Sequence, residues 1–398
     1  MTLELSKVAE QADRVGEQMA ERMQRRQAAL PALRALRTLY AHEGERLRAL
    51  AESPQGQEAK CALPTTEPLD AAIAAPPPEQ ATILAADGSQ IYPDPHGWVL
   101  YYLINIGSLV YRHGSGETPL AASEPMMAAA VDAEGNLRSG EWVDARRDVA
   151  EIQKLADLAE RNAGERLVAL LDSTIGLRAW SGAIPPNDRA ALARRYEEQL
   201  ARLRRAGAAL AGVISRSRQA GVVRLLDLAR REQVSGGLAG DPGTSRNLRE
   251  AEVPSPFQGL TDQMLWGDLR PGERSALFEE RKGETSVFFF YLNPMPPDSS
   301  SVAGEAEPAR IEVPDWVACN SQSLNLVHAL VYDQCCLNNG YPYALSRADE
   351  LAIILNEERE ALEAMLWQAM GRRGLPLPRL SPKAAQKRVV RGPFQSVM

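Results

Sequence analysis

The stretch ATILAADGSQIYPDP (residues 81–95) is a short apolar run that ends in Asp87-Gly88-Ser89. It reads as a buried strand whose C-terminal end carries a carboxylate, because a continuous apolar run suits a strand covered on both faces. WVLYYLINIGSLVYRHG (98–114) is rich in aromatic and branched residues, as a central strand is. A third strand, of weaker alternation, is expected near residues 119–127. Between residues 144 and 162 the period becomes helical, with Val149, Ile152, Leu155, Ala156 and Ala159 on one face. RLVALLDSTIGL (166–177) is a second continuous apolar strand that ends in Asp, at Asp172. A polar helix over 186–206 leads to AALAGVISRSR (208–218), a strand that exits into Arg216 and Arg218.

Three strands in succession suggest an antiparallel meander, and the strand-helix-strand units after them suggest parallel crossovers. That order predicts an α/β fold with a ribonuclease H-like mixed β-sheet core flanked by helices. The expected divisions begin with an N-terminal helical segment and Pro/Ala-rich linker (1–80) and the core (81–232). A Gly/Pro-rich irregular insertion with one more strand, SVFFFYL, occupies 233–309, followed by a C-terminal helical part of the core (310–370) and a basic tail (371–398). Val8, Ala12, Val15, Met19 and Met23 recur at helical spacing, and Pro31 reads as a break or a fresh helix start. This segment suits either a surface helix packed on its own domain or a dimer contact. Residues 53–80 read as a linker or extended arm. Helices are expected at 321–337 and 344–370, joined by LNNGYPY.

The 398 residues are 44% hydrophobic and 24% charged, enough for one large or two modest domains. A net charge of -7, from 45 Lys+Arg against 52 Asp+Glu, argues against a polybasic binder. It does not exclude nucleic acid, whose affinity follows local patches, and the 39 Arg against six Lys favour phosphate contact and base stacking. Four His and four Cys, with no CxxC, support no zinc site and leave carboxylates as the groups on which catalysis would rest. The N-terminus has no apolar signal core, and the most apolar stretch, 98–111, is too short to span a bilayer. A reduced, cytoplasmic chain with no membrane association is expected.

Two strands thus end in Asp followed by small or hydroxyl residues, Asp87-Gly88-Ser89 and Asp172-Ser173-Thr174. As neighbours in one sheet they project both carboxylates from the same edge. Two like charges that close repel, and one pKa rises unless a cation neutralises them. Mg²⁺ and Mn²⁺ take oxygen ligands without His or Cys, and a pair of such ions supports phosphodiester hydrolysis. Each motif alone equally suits a plain turn. A third ligand is expected from the helix between them, with Glu151, four residues after Arg147, ahead of Asp148 and Asp157. GYPYALSRADELAIIL (340–355) puts Tyr341 at an entry turn and Asp349 and Glu350 near a helix N-terminus. Stabilising the helix dipole is the ordinary reason for acids there, and it does not separate the two.

ILAADGSQ, the spacing of Arg147 and Glu151, LLDSTIGLRAW, AGVISRSR and GYPYALSRADELA, in that order, resemble the NurA family. These are DNA end-processing nucleases that work with the hexameric translocase HerA. The resemblance spans residues 83–355. It implies a ribonuclease H-like core, Mn²⁺-dependent (or Mg²⁺-dependent) exonuclease and endonuclease activity on DNA ends, a homodimer, and a role in resecting double-strand breaks. Asp87, Glu151 and Asp172 match the family's acidic metal ligands, and Tyr341 its active-site tyrosine. Asp349 stands where archaeal members carry a metal-associated His. An Asp still ligates Mn²⁺, but it removes an imidazole able to shuttle a proton. His328, within the apolar LNLVHALVY, is expected to be a core or interface histidine.

Arg216 and Arg218 leave their strand at the edge expected to hold the two Asp, a place to grip a phosphate or a DNA strand. A solvated surface is the plainer reading of the eight Arg between residues 202 and 231. The basic tail suits DNA, an acidic partner surface, or no defined partner. Two other functions fit the same sequence: a non-catalytic DNA-end clamp or adaptor subunit of a ring ATPase, and another ribonuclease H-like nuclease acting on RNA or junctions.

Overall fold

The computed structural model describes residues 4–97, 99–132, 134–176, 184–238, 255–282, 285–297 and 307–374. In chain order the principal elements are α1 (Leu5–Leu39), β1 (Ala81–Ile91), β2 (Tyr101–His113), β3 (Leu120–Ala129), α2 (Gly140–Arg161), β4 (Leu167–Leu171), α3 (Pro186–Arg205) and β5 (Ala209–Ile214). They continue with α4 (Gly221–Leu238), β6 (Phe278–Lys282), β7 (Thr285–Leu292), β8 (Ala309–Val313), α5 (Ser321–Leu337), α6 (Tyr343–Ala352) and α7 (Asn356–Gly371).

The unbroken apolar run of β1 is explained by its cover. Leu84 and Ala86 pack with Val149 and Ile152 of α2 on one face. Ile83 and Ala85 pack with Val327, Ala344 and Ala348 of α5 and α6 on the other. One sheet carries the strands in the order β6-β7-β8-β5-β4-β1-β2-β3. Within it, β1, β4 and β5 are parallel, while β2 and β3 complete an antiparallel meander. The run β3-β2-β1-β4-β5 is the ribonuclease H-like order expected from the sequence, and β8, β7 and β6 extend it by antiparallel pairing. Asn320 caps α5, accepting from the backbone of Gln322 and Ser323 at 3.0 and 3.1 Å, and Ser139 caps α2 by accepting from Trp142 at 3.2 Å.

Several local expectations are corrected. Pro31 breaks nothing: α1 runs through it, because Leu30 and Leu33 just before and after it are buried in the core and hold the axis. The packed reading of α1 applies only to that C-terminal half, since Leu5, Val15, Met19 and Met23 are exposed. The arm at 53–80 is pinned rather than free. Its short strand Leu63–Pro64 pairs with β6, Leu69 is buried, and Glu67 accepts two bonds from Arg274. The 233–309 region supplies three strands where one was expected, namely β6, β7 and the two-residue Glu273–Arg274. Its SGGLAGDPGTS run lies mostly outside the described residues, as does the basic tail beyond Gly374. The single helix expected over 344–370 is two, α6 and α7, divided at residues 353–355.

β2 and α6 meet where a side chain has no room. A Cβ on Gly107 would stand 2.0 Å from the carbonyl oxygen of Ala348 and 2.6 Å from the amide of Ala352. Both are backbone atoms, so neither can swing aside. Gly107→Ala is expected to displace α6 and to cost about 2 kcal/mol or more, as overpacking does. Urea unfolding measures this, and an unchanged midpoint would contradict the packing.

Candidate active site

Because β1 and β4 are parallel and Ala86 pairs with Leu171, Asp87 and Asp172 stand side by side where β4 ends. The strand expected to end at Asp87 instead runs on to Ile91, because β2 still pairs it there. Alternation puts Asp87 on the face shared with Ile83 and Ala85, the face covered by α5 and α6. There it meets two groups from the C-terminal part of the chain. Asp349 hydrogen-bonds to the Asp87 carboxyl, and the Tyr341 hydroxyl donates to Asp172. Asp172 and Asp349 are exposed, while Asp87 and Tyr341 are half-buried.

Burial pushes the Asp87 carboxyl up, helped by the hydrogen bond to Asp349 and the charges of Asp172 and Asp349. The backbone N–H of Gly88 donates to it and opposes the rise, and the outcome is a pKa of about 6. Tyr341 is raised above its ordinary value, first by burial and then by Asp172, so it stays a neutral hydroxyl and a hydrogen-bond donor.

Glu151 arrives from the opposite face. It is 6% exposed on α2, and its Oε1 lies 3.2 Å from Arg147 Nε. A Cβ on Gly88 would stand 2.8 Å from that Oε1 and 2.7 Å from Arg147 Cγ, so the missing side chain is what lets the pair lie against the residue next to Asp87. Arg147 also donates to Gln90 at 2.9 Å and to Asp148 at 3.1 Å. Of the competing acids, Asp157 faces away and binds Arg202 at 2.7 Å, and Asp148 is tied to the guanidinium.

The structure separates Asp349 from Glu350 and corrects their setting. α6 ends at Ala352, so both lie in its last turn, not at a helix N-terminus. A carboxylate there opposes the helix dipole, and dipole stabilisation cannot be the reason for Asp349. Glu350 pairs with Arg347 on the surface, whereas Asp349 turns to Asp87. What holds that last turn is a polar residue within an apolar strand. Asn105 of β2, 7% exposed, donates to the carbonyls of Leu351 and Ala352 at 3.1 and 3.0 Å. Ser89, of the Asp87-Gly88-Ser89 motif, also donates to Ala352. An Asn in the middle of an apolar strand was the available signal, since a buried amide needs partners.

Arg216 and Arg218 follow β5 at the same edge, and both are exposed. Arg202, Arg230 and Arg231 from the same arginine-rich stretch are instead held by acids, Arg202 by Asp157 and Glu160 and the other two by Asp227. His328 is fully buried, bonded to the Gly272 carbonyl at 2.9 Å, and lowered to about 4 by burial. It is a neutral core residue, as expected.

The donors at the edge are carboxylate and hydroxyl oxygens, a set suited to Mg²⁺ or Mn²⁺ rather than to softer ions. Their contacts are pairwise: no group of three acidic, His or Cys side chains among the described residues stands ready around one ligating point. A cation at this edge has to exchange the Asp87–Asp349 hydrogen bond for ligation.

An acid whose folded pKa lies above its ordinary 3.8 contributes stability below that value and loses it as pH rises to about 6. Above that range the ionised Asp87 opposes folding, and Asp87→Asn removes the charge. In buffer containing chelator at about pH 8 the variant is expected to melt a few degrees above wild type, with the gap closing toward about pH 4. Calorimetry at both pH values checks this; a variant that melts lower at both contradicts the crowding of charge at Asp87.

Comparison with known proteins adds the family. Residues 81–354 match the NurA domain. No curated protein matches the sequence. Among solved structures, the NurA nuclease from Sulfolobus solfataricus aligns at 10% identity and a TM-score of 0.47, covering 84% of this chain and 96% of its own. NurA bound to dAMP and manganese aligns at 12% identity and 0.40, covering 81% and 94%. The catalytic domain of human Endonuclease V aligns at 15% and 0.33, covering 85% and 98%. The domain match spans more than half of the chain and takes in Asp87, Glu151, Asp172, Tyr341 and Asp349, and the chain belongs to the NurA family of nucleases.

Proposed function

We propose that this chain hydrolyses DNA as a Mn²⁺-dependent end-processing nuclease, with Mg²⁺ as the alternative cation of the same oxygen preference. The observation that carries the reading is the meeting of Asp87, Asp172 and Asp349 at the C-terminal edge of a ribonuclease H-like sheet, inside the NurA match. Asp87, Asp172, Asp349 and Glu151 are the proposed ligands. Bound divalent ions supply an activated water and stabilise the departing 3′ oxygen.

The chain's own residues do the rest. Ionised Asp87, where the apolar run of β1 stops, and Asp172, just after β4, would offer oxygens to the ions, and Asp349 would add one from α6. Arg147 pairs with Glu151 inside its buried setting. Tyr341 retains its proton, which leaves it a donor to a phosphate oxygen. Arg216 and Arg218, exposed at the same edge, hold the backbone of the strand being cut. A HerA-type hexameric ATPase and a homodimer belong to the proposal as the family's working partners; the exposed apolar residues of α1 support a helix contact between copies. No helix among the described residues is long and apolar enough to cross a membrane, and a cytoplasmic, DNA-associated enzyme fits.

The test is end-labelled duplex and single-stranded DNA incubated with Mn²⁺, with and without a HerA-type partner. Outer partners of metal ligands are worth about 10- to 100-fold, so Asp87→Ala and Asp172→Ala are expected to lose more than about 100-fold in cleavage. Full Mn²⁺-dependent cleavage by Asp87→Ala would refute the site. Wild-type protein that binds DNA ends but neither cleaves nor takes up Mn²⁺ would favour the adaptor reading. Arg216→Ala and Arg218→Ala are expected to weaken single-strand binding and to lower the slope of log affinity against log salt by about 0.7 each. Fluorescence titration over a salt series measures that, and an unchanged slope removes both arginines from the DNA path.

A further inference from the structure

The Asp172 turn is gripped from two strands away. Directly after Asp172 the chain crosses β5 at Gly212, where a Cβ would stand 2.3 Å from the carbonyl oxygen of Ser173. Beyond β5 lies β8, and its Glu312 is paired with Gly212 across the sheet. The Glu312 carboxylate, 2% exposed, reaches over the glycine and accepts from Thr174 Oγ1 at 2.7 Å and from the Ile175 amide at 3.0 Å. Its other oxygen accepts from Arg310 Nε at 2.9 Å. Arg310 is itself 1% exposed, bonded to Glu280, and stacked 3.6 Å from the Phe289 ring centroid.

We propose that Glu312 is a positioning residue for Asp172: a buried carboxylate, oriented by Arg310, that fixes the turn from which Asp172 projects. The inference rests on the nuclease reading of the edge for its consequence, but not for its geometry. Hydrogen bonds to a charged group are the stronger kind, and a buried acid without them is costly, so both the donor and the acceptor sides of this contact resist displacement. Glu312 bonds to this turn at the Thr174 hydroxyl and the Ile175 amide. It acts through the backbone of residues 173–175.

Glu312→Ala leaves Arg310 without one of its two acids in a buried place, so loss of folding would say nothing about position. The test therefore uses Thr174→Val, which deletes one donor at constant volume, Thr174→Ser, which keeps the hydroxyl, and Glu312→Gln, which keeps shape but not charge. The first readout is backbone amide exchange over residues 172–176 in metal-free, full-length protein. Thr174→Val and Glu312→Gln are expected to exchange there about fivefold faster than wild type, the worth of about one hydrogen bond, with residues 343–352 unchanged. The second is Mn²⁺-dependent cleavage: kcat is expected to fall about 10- to 100-fold at constant KM for DNA, and Thr174→Ser to restore it. Unchanged exchange overturns the proposal, as does faster exchange with undiminished cleavage. If wild-type protein cleaves no DNA at all, the nuclease reading fails, while the exchange data still decide whether Glu312 holds the turn.

Discussion

Carboxylates gather at one point only if the backbones that carry them come closer than side chains normally permit. At this sheet edge three strands omit the Cβ that would stand in the way. Gly88 on β1 admits the Arg147–Glu151 pair of α2, Gly107 on β2 admits the last turn of α6, and Gly212 on β5 admits the turn after Asp172. Each clash a side chain would cause there is under 3 Å, and at Gly107 and Gly212 it is with backbone. Elsewhere the core strands bury side chains such as Ile83, Leu109, Leu170 and Val213, so these omissions are what let helices from both faces and a turn from the next strand reach the same edge.

Crowding of this kind sets up opposed charges, and the molecule answers differently at each residue. Glu151 is buried, and Arg147 compensates it directly. Asp172 and Asp349 remain exposed, where water screens them. Asp87 is the one left between, half-buried and facing two acids, and its carboxyl rises accordingly. Asp349 is set against a further opposing field, the negative end of α6. The Gly88 amide offsets only part of this crowding at Asp87, which supports the proposed reading of the group as a cation site rather than as ordinary surface acids.

The sequence carried the strand order well, because the core strands are covered on both faces and show as unbroken apolar runs. The Asp87 and Asp172 motifs were legible for the same reason: they are the points where those runs stop. Asp349 and Glu350 could not be told apart, since their difference is which side of a short helix faces the sheet, and that depends on where the helix ends. The break at residues 353–355 has no Pro or Gly to announce it. Asn105 was visible as an interruption but not its partners, which lie 246 and 247 residues away. Glu312 was the least legible, an acid in a five-residue strand whose partners are 137 and 138 residues distant. β7 showed as the apolar run SVFFFYL, whereas β6 and the two-residue Glu273–Arg274 strand were hidden by the Gly/Pro-rich composition around them, and α1 ran through Pro31 because the core holds the residues around it.

A division of labour follows from how the two kinds of site residue are held. The turn bearing Asp172 and the helix bearing Asp349 are anchored by buried polar side chains, Glu312 and Asn105, whose bonds run to backbone as well as to side chains. Such partners fix position at little entropic expense when the substrate arrives, because their own rotamers are already confined by packing. Arg216 and Arg218 are exposed, long and outside the ion pairs that hold Arg202, Arg230 and Arg231. In the proposed DNA path they would lose rotamer freedom on meeting a phosphate, yet that freedom would let them follow a backbone whose path differs between duplex ends and single strands. Hydrolysis requires reacting oxygens to be placed to within a fraction of an ångström, whereas holding a strand without regard to its sequence does not. On the proposed function, the rigid acidic edge and the adaptable arginines beside it would meet those two demands separately.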